Sequence, residues 1–589
     1  MRIEGKRVIT FTIDKDVNYS IHLADTENKT DDGYKTTTIE VCTDKIGAIA
    51  SLFSNSKYAF VGFGNKYKDN IIVNYILTNQ RILTSVGNSY ITEHIEQTLV
   101  DILEKQDENL EKQYKYVNLF NSIDLQVFMF SKDQKVSLEQ FLKASDFKYT
   151  DKEHNALNIA NILDEIKPRI DARLKVEEMY DEDLFDAHEG VVGARLMKSL
   201  YLKQNKLKWS DIKDKHNDVK SISFKDIILP NIKFERKDCN EFLDKLKTVV
   251  ITPDEPWWDT VDIDGKTYGI SLAGLRLNTD PVKLRSDVDG EIFNIDVASF
   301  WPSIICNYDI KPKQVNDTFL KNYKKLWKQR LEFKKTDKDV STTMKYMLNG
   351  IIGQFMIENS WLYDPEASMR IRLNGALLMM MLVERLIPEF EIQCVTIDGM
   401  FVKSQMPNQQ GRLAEIVNDW SKESKLNADI TRHEFVYMMT NNDYVSDSSR
   451  KGFFVDQGNT GHSGVVPIVR DAVIEKLINN VPISDTIEKC NDIKKFMFPV
   501  SSSKDKLEWM GFVFNTERFY ASTDSQRVNR IIPNPSGIGD QRLVPTTECS
   551  VDIIDTIPEE FPCNVNYRYY ISEAIRIVSK INETQLTLF

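Results

Sequence analysis

The sequence lacks several features that would assign it quickly to a class of protein. Its 589 residues include seven cysteines, an odd number with no Cys-x-x-Cys pair, so neither a disulfide framework nor a structural zinc site is expected. The longest strongly apolar run, Ala376–Val383, is too short to span a bilayer. The N-terminal residues show no apolar core followed by a small-residue cleavage site. These absences favour a reduced, cytoplasmic protein without a membrane segment.

The sequence also lacks internal repeats, long low-complexity segments and an overall basic surplus. It is 41% hydrophobic with a net charge of −12, a globular composition whose length suggests roughly three or four domains. A negative total charge does not favour a nucleic-acid-binding protein, although such a partner responds to the local field of a groove. One stretch, Lys321–Lys335, is locally basic, with seven Lys/Arg and one acid. A solvated helix face and an anion-facing helix explain it equally well.

Hydrophobic periodicity predicts a mixed α/β region at the start of the chain and helices after it. Residues 92–180 carry helical patterns, such as Thr92–Lys105 and Leu138–Ala144. Residues 190–260 are predicted to form an irregular connector rich in Lys and Asp. In residues 7–80, the strand-like runs between polar turns are Val8–Ile13, Thr37–Val41, Tyr58–Phe63 and Ile71–Leu77.

The middle of the chain alternates between strands and helices. Residues 261–310 and 391–445 are strand-rich, and residues 318–388 between them are mostly helical, ending before Pro388. Two strand-rich blocks that flank a helical insertion can pair into one antiparallel sheet. Beyond them, residues 465–495 are predicted to form two short helices, followed by strands and turns.

The stretch FNIDVASFWPSII, at residues 293–305, places an acid at the corner between a strand and a helix. Phe293 to Asp296 alternates apolar and polar residues, which is typical of the end of a half-buried strand. Ser299 and Pro302 then predict a helix start, with serine as a candidate cap and proline in the first turn. An acid at such a corner is often only a solvated turn residue.

A second acid stands in a matching setting in EIQCVTIDGMFVKS, at residues 391–404. Asp398-Gly399 lies between two strand-like runs, which is a strong hairpin signal. If this hairpin pairs beside the Asp296 strand, the two carboxylates converge at one sheet edge. Such oxygen ligands suit Mg²⁺, and two ions about 3.5–4 Å apart catalyse phosphoryl transfer. A lone Asp-Gly turn, however, is usually structural.

Cationic residues stand between the two acids. Lys345 and Asn349 are four residues apart and share a helical face, where Gly350 removes a side chain. Arg330 and Lys334 share a face in the same way, and with Lys345 they offer enough charge to clamp a triphosphate. A neighbouring helix is the alternative explanation for the small residue.

These stretches together, in this order, resemble the motifs of family B DNA polymerases, especially compact phage and plasmid members. DVASFWPSI resembles the DxxSLYPS motif, and VTIDGMFVK resembles the DTDS-type hairpin. RLEFKK followed by KYMLNGIIG resembles the fingers. Residues 268–281 and 358–386 match further segments of these enzymes, and Asn442–Gly452 resembles their NxY…KG segment. The resemblance is strongest over about residues 250–500.

The resemblance implies roles for individual residues. Asp296 and Asp398 would hold two Mg²⁺ ions, which Mn²⁺ can replace, with the carbonyl of Val297 as a further ligand. Trp301 stands where a tyrosine usually packs under the sugar, and Thr396 replaces the first acid of DTDS. The residues implied to contact the nucleotide are Arg330, Lys334, Lys345, Asn349, Val297, Ser299, Phe300 and Trp301. Those implied to contact DNA are Gly350, Tyr444, Lys451 and Gly452.

The resemblance also implies a fold class. It predicts an α/β multidomain protein with a right-hand polymerase, whose palm carries an antiparallel sheet beside helical fingers and a thumb. A ribonuclease H-like exonuclease domain would precede it. The expected domains are 1–185, exonuclease-like; 186–310, connector and first part of the palm; 311–388, fingers; 389–450, second part of the palm; and 451–589, thumb and C-terminal region.

The exonuclease motifs are eroded. The usual FDIE reads Phe-Thr-Ile-Asp here and ends at Asp14, so threonine replaces the first acid, for which Asp16 could substitute. Asp69 stands in place in FVGFGNKYKDN. The third motif is matched only loosely by YDEDLFD, where Asp183 or Asp186 would need a shifted register. We therefore expect weak or absent proofreading.

The function that these motifs favour is template-directed DNA polymerisation, which adds dNTPs to a primer 3′-hydroxyl. The expected partners are primer–template DNA, dNTPs and other replication proteins, in the host cytoplasm for a phage enzyme. One alternative is a nuclease acting through the N-terminal domain. The other is a non-catalytic DNA-binding or replication scaffold derived from a polymerase. Ribonucleotide acceptance, unusual-base preference, protein priming and processivity stay open.

Overall fold

A computed structural model of the chain divides it into two compact units. The first unit is Met1–Leu196 with Gln329–Met347, and the second is Met197–Lys328 with Leu348–Phe589. In the described part of the chain, no helix is long and apolar enough to cross a membrane. The residues that the structure describes are 1–3, 5–30, 33–117, 119–130, 137–144, 155–184, 187–277, 281–455, 466–502, 505–533, 541–554, 558 and 560–583.

A mixed sheet organises the first unit. Its strand order is Gly33–Glu40, Tyr19–Thr30, Lys6–Lys15, Tyr58–Gly62 and Ser122–Asp124, with Arg2–Ile3 paired to Lys6–Lys15. The first three strands are antiparallel, and the last two run parallel to Lys6–Lys15. Four phenylalanines form the aromatic centre of the core on one side of this sheet: Phe11, Phe53, Phe60 and Phe120.

Helices accompany this sheet. Three of the four predicted strand runs lie in strands, but Ile71–Leu77 lies in the helix Asp69–Leu83, so that prediction was wrong. A run of apolar residues interrupted only by Asn74 fits a buried helix as well as a buried strand, and residues 70–76 are all buried. The helices of this unit are Ile46–Phe53, Asp69–Leu83, Asn88–Leu103, Glu108–Leu110, Leu125–Met129, Leu138–Ala144, Asn155–Glu165 and Lys167–Tyr180.

A four-stranded antiparallel sheet, the carboxylate sheet, lies in the second unit. Its order is Glu391–Val395, Gly399–Ser404, Glu291–Val297 and Ala428–His433. The predicted pairing of the two strand-rich blocks is confirmed, because Glu291–Val297 comes from the first block and its neighbours come from the second. The strands around it are Ile222–Ser223, Val250–Ile251, Trp258–Ile263, Lys266–Ser271, Gly274–Arg276, Val282–Arg285, Phe435–Thr440, Asp443–Ser446 and Arg450–Lys451.

The connector predicted at 190–260 is only partly irregular. The helix Glu189–Asn205 opens it and the helix Lys237–Leu246 lies near its end, so that prediction was wrong for these segments. Each of these helices has only a narrow apolar face among many solvated Lys and Asp residues, so its helical periodicity is weak in the sequence. The other helices are Phe224–Ile227, Ser286–Asp289, Phe300–Asn307, Asp317–Thr336, Lys338–Gly353, Pro365–Leu386 and Gln410–Ser424.

The C-terminal part combines helices with two small sheets. Pro467–Asn479 and Ile483–Glu488 are the two short helices that the sequence predicts, and strands follow. The helix Tyr567–Glu583 was not predicted. The strands are Phe498–Ser501, Thr516–Gln526 and Val551–Ile553 in one sheet, and Phe512–Phe514, Lys506–Trp509, Asn529–Pro533 and Gln541–Pro545 in the other.

The helix Pro365–Leu386 is the apolar scaffold behind the carboxylate sheet. Eighteen of its 22 residues are buried, and it ends before Pro388 as predicted. Asp364 begins it, because its Oδ1 accepts a hydrogen bond from the Ala367 amide at 2.9 Å. The same buried carboxylate accepts hydrogen bonds from the Lys313 amide at 2.8 Å and from Asn217 Nδ2 at 2.9 Å. One side chain therefore joins three segments.

We expect Asp364→Ala to destabilise the second unit by about 2–4 kcal/mol, since it removes a helix cap and leaves buried donors unpaired. Glu366→Ala is the matched control on the same turn. It removes a partly exposed ion pair with Lys313 and should cost less than about 1 kcal/mol. Chemical denaturation followed by circular dichroism measures both. Equal losses for the two variants would contradict the role given to Asp364.

Candidate active site

The register of the carboxylate sheet brings the two predicted acids together. In the strand Glu291–Val297, Asp296 pairs with Gly399, the residue after Asp398. The Val297 amide donates a hydrogen bond to the Asp398 carbonyl at 2.8 Å. The hairpin is closed by Thr396, whose amide and hydroxyl both donate to the Gly399 carbonyl, at 2.8 and 3.1 Å. The predicted pairing of the hairpin beside the Asp296 strand is confirmed, whereas the meeting of the two carboxylates at a metal site stays a prediction.

Gly399 is required for this close approach. A Cβ at this position would lie 2.8 Å from the Ile295 carbonyl oxygen and 3.5 Å from Asp296 Oδ1. Any side chain would therefore push the hairpin away from its neighbour. The Asp-Gly sequence thus serves the pairing of strands as well as the turn.

The negative charges of the two carboxylates act on the pKa of a neighbouring tyrosine, Tyr444. Asp296 and Asp398 are both exposed. Burial raises the pKa of Tyr444, and the charges of Asp296 and Asp398 raise that pKa further. The Tyr444 ring packs edge-on against Phe401, at 5.1 Å between ring centroids. Its position places the residue that was predicted to contact DNA beside the acids.

The donor set at this edge fits hard divalent cations. Carboxylate and carbonyl oxygens are the ligands that Mg²⁺ prefers, and Mg²⁺ usually keeps several waters and shares them with substrate phosphates. No group of three or more His, Cys, Asp or Glu that could hold a metal ion occurs in the described part of the chain. The candidate site consists of the two acids, to which the resemblance adds the Val297 carbonyl as an expected ligand.

A cleft of about 300 Å³ opens beside Asp398. Arg276 and Lys451 line the cleft and give it positive charge. Asn441 also lines it, and its side-chain amide donates hydrogen bonds to the carbonyls of Leu277 and Val395 at 2.7 and 3.1 Å. The sequence analysis gave a role to Lys451 but gave none to Arg276, which lies within the matched segment 268–281, or to Asn441, which directly precedes the NxY…KG segment. A cationic cleft next to two acids suits a ligand that carries phosphates.

The turn that holds Lys451 depends on Gly452. Its φ is +59°, and a Cβ there would collide with Asp443 Oδ1 and with the Asn442 carbonyl oxygen. Asp443 in turn accepts a hydrogen bond from the Phe453 amide at 2.8 Å. Glycine at 452 is therefore a backbone requirement of this turn.

Aromatic residues follow Asp296 on the helix Phe300–Asn307. Ser299 precedes this helix with a φ of +53° and makes no side-chain cap, so the predicted capping role was wrong. The ring centroids of Phe300 and Trp301 lie 4.7 Å apart. They pack against Gly375, where a Cβ would be 2.8 Å from Trp301 Cζ3 and 3.1 Å from Phe300. No local pattern indicates a role for Gly375, because its partner is 74 positions away.

The predicted triphosphate ligands lie on two helices. Arg330 and Lys334 are one turn apart on Asp317–Thr336, and Lys334 is exposed. Lys345 and Asn349 are both exposed on Lys338–Gly353, so the predicted shared face is confirmed. Gly350 follows Asn349 and is half-buried. Their part in nucleotide binding stays a prediction.

The first unit gathers two of its predicted acids around a third that the sequence analysis missed. Burial raises the pKa of Asp69 to about 7, and the charges of Asp14 and Asp124 add to this while Lys68 opposes it. Asp124 is buried and accepts hydrogen bonds from the amides of Gly64, Lys66 and Gln126, which gives it a structural role. Its setting depends on the loop at 64–66 lying over the end of the strand Ser122–Asp124, and no pattern along the chain indicates it.

The remaining exonuclease candidates are Asp16, Asp183 and Asp186. Asp16 is exposed in the turn after Lys6–Lys15, and Asp14 lies 3.9 Å from His22. Asp183 is exposed, with its carboxylate 3.9 Å from the Arg195 guanidinium. Asp186 lies outside the described residues. No contact joins Asp183 to Asp14 or Asp69 in the described part of the chain, so these acids do not form one group there.

No protein-family model matches the sequence, and no curated protein matches it. Among solved structures, the chain is similar to the family B DNA polymerase from the hyperthermophilic archaeon Pyrobaculum calidifontis. The match has 10% identity and a TM-score of 0.42, and it covers 98% of this chain and 78% of that one. A score this low does not establish a shared fold, and the likeness adds nothing to the case for function.

We expect Gly399→Ala to destabilise the carboxylate sheet by about 1–3 kcal/mol, because the added methyl group overpacks against the Ile295 carbonyl. Gly411→Ala is the control, since a Cβ there meets nothing within 4 Å. It should be neutral or slightly stabilising in its helix. Denaturant midpoints measure both. If Gly399→Ala is as stable as the wild type, the two strands do not need this glycine.

We expect Asp69→Asn to stabilise the first unit increasingly as the pH rises from 5 to 8. The folded pKa of about 7 lies above the usual value, so the wild-type protein loses stability as the pH rises between those values. At about 1.4 kcal/mol for each of the roughly two pH units between 5 and the folded pKa, the gain in the free energy of unfolding should grow by about 3 kcal/mol from pH 5 to pH 8. Urea unfolding in EDTA at both pH values measures it, with Asp16→Asn as control. A gain that is the same at pH 5 and pH 8 would contradict the raised pKa.

Proposed function

We propose that the protein is a template-directed DNA polymerase that extends a primer 3′-hydroxyl with dNTPs by two-metal phosphoryl transfer. The observation that supports this most directly is the pairing of Asp296 with Gly399, which sets the carboxylates of Asp296 and Asp398 at one sheet edge. The order and identity of the polymerase-like motifs in the sequence support it independently.

The chain's own residues would do the binding and the orienting. Asp296 and Asp398 hold the cations, and the Val297 carbonyl adds a neutral oxygen. Bound Mg²⁺ would supply the charge that lowers the pKa of an attacking hydroxyl and stabilises a leaving pyrophosphate. Lys451 and Arg276 in the neighbouring cleft attract the phosphates of primer and template.

Nucleotide recognition is part of the same proposal. Arg330, Lys334 and Lys345 neutralise the triphosphate, as the resemblance implies. Trp301 and Phe300 form the aromatic floor under the sugar, with the indole seated against Gly375. Because tryptophan is larger than the usual tyrosine, we expect ribonucleotides to remain excluded.

Proofreading is expected to be weak. Thr12 stands where the first exonuclease acid is usual, and its hydroxyl has no hydrogen-bond partner in the described part of the chain. Without that carboxylate, Asp14 and Asp69 offer an incomplete set for two cations. The nuclease-only alternative therefore has less support than polymerisation.

Primer extension tests the proposal. Wild-type protein with Mg²⁺ or Mn²⁺ should extend a primed template with dNTPs and much less with NTPs. Asp398→Asn should reduce extension by more than about 100-fold, since even indirect disturbance of a metal ligand costs 10–100-fold. The backbone hydrogen bond from Val297 survives this substitution, so the fold should persist.

Asp419→Asn is the matched control, because Asp419 is an exposed acid on the helix Gln410–Ser424, paired with Lys422. It should extend primers like the wild type. Full activity of Asp398→Asn would overturn the assignment of the site. Wild-type protein that binds primer–template but never extends it would favour the non-catalytic scaffold.

A further inference from the structure

A lysine-rich segment, residues 198–220, belongs to neither the sheet edge nor the helices described above as nucleotide-binding. It contains seven lysines and three aspartates, in a chain whose net charge is −12. It begins in the helix Glu189–Asn205 and continues through a 3₁₀ turn at Trp209–Asp211. The second unit therefore carries a local positive surface on an acidic protein.

Most of these lysines face solvent without a carboxylate. Lys206, Lys208, Lys215 and Lys220 are exposed and form no ion pair in the part of the chain that the structure describes. Lys213 reaches only Asp214, at 3.7 Å, and both side chains are at least half exposed. Exposed pairs of this kind neutralise little. The segment keeps its charge available for a polyanion.

Trp209 stands out in this segment because its indole is 43% exposed. Lys198 lies over the ring, with Nζ 4.5 Å from its centroid. No other ring contact of Trp209 occurs among the described residues. A cation over one face fixes the indole in place, and its remaining surface is available to stack against a planar group.

Hydrogen bonds fasten the lysine-rich segment to a second basic stretch. Gln204 and Asn322 exchange two side-chain hydrogen bonds, at 3.1 and 3.2 Å. Asn316 Nδ2 donates to Asn205 Oδ1 at 2.8 Å. Asn322 lies on the helix Asp317–Thr336, whose first turns present three exposed lysines within the same unit, Lys321, Lys325 and Lys328. Two basic stretches that are distant in sequence therefore lie side by side.

We propose that this surface binds single-stranded nucleic acid, and that its ligand during synthesis is the unpaired template strand. The inference rests on the proposed polymerase function and adds a binding site to it. Lysines follow the phosphate backbone, and an exposed indole offers a stacking platform for a base of any sequence. A merely solvated helix face would need neither the ordered tryptophan nor the second row of lysines.

The first test measures binding without nucleotides. A labelled primer–template with a dT overhang of about 12 nucleotides is compared with the blunt duplex by fluorescence anisotropy. Trp209→Ala should weaken overhang binding by about ten-fold, as loss of one stacked base predicts, and leave blunt-duplex binding unchanged. Trp258→Ala is the control, since Trp258 is 73% exposed and lies outside the lysine-rich segment, in the strand Trp258–Ile263.

The second test removes charge. Lys206→Gln with Lys208→Gln should reduce the slope of log affinity against log salt for single-stranded dT by about 1.4, or about 0.7 for each phosphate that is no longer neutralised. The pair Lys225→Gln and Lys233→Gln removes the same charge from exposed positions outside the segment. It should leave that slope nearly unchanged.

The outcomes separate this inference from the proposed function. Equal loss on overhang and blunt DNA, or no loss in either variant, overturns the template surface even if the wild type extends primers. Selective loss of overhang binding supports the surface even if the wild type fails to extend, which would count against polymerisation alone. Trp209→Phe should retain most of the binding, and unchanged melting temperatures exclude misfolding as the cause.

Discussion

The candidate site depends on one backbone hydrogen bond, from the Val297 amide to the Asp398 carbonyl at 2.8 Å. This bond and the strand pairing around it join two segments a hundred residues apart without using either carboxylate side chain. The glycine at 399 permits the approach. Backbone atoms therefore hold the two strands together and leave both carboxylate side chains free of that task. This matters because like charges on neighbouring strands repel each other and would not stabilise the pairing themselves.

Local patterns were sufficient to predict this arrangement. The alternation from Phe293 to Asp296 and the Asp-Gly turn at 398 each specify a strand end, and the block order specifies that the strands can pair. The same kind of reasoning failed for Ile71–Leu77, where a mostly apolar run does not distinguish a buried helix from a buried strand. It also failed for Ser299, whose left-handed backbone conformation depends on the corner it turns.

What the sequence could not predict involves distant partners. Position 375 requires glycine because the rings of Phe300 and Trp301, from another helix, pack where a Cβ would lie. Nothing in the residues that neighbour it along the chain indicates this. Asp124 is buried under three backbone amides, a setting that appears only once the strand and loop are assembled. In the sequence, Trp209 is one residue of a polar stretch with no indicated role. Only the structure shows that it is exposed and that Lys198 lies over its ring.

The two groups of acids in the chain differ in how they are accommodated. Asp364 and Asp124 are buried, accept hydrogen bonds from amides and stabilise the fold, whereas Asp296 and Asp398 stay exposed.

The contact between Trp301 and Gly375 has a consequence for sequence variation. The volume of the indole is balanced by a missing side chain 74 positions later, so the two positions should co-vary during evolution. A smaller ring at 301 would remove the closest obstacle to a methyl group at 375, leaving only the Phe300 ring at 3.1 Å to shift, whereas a lineage that kept tryptophan would be restricted to glycine there.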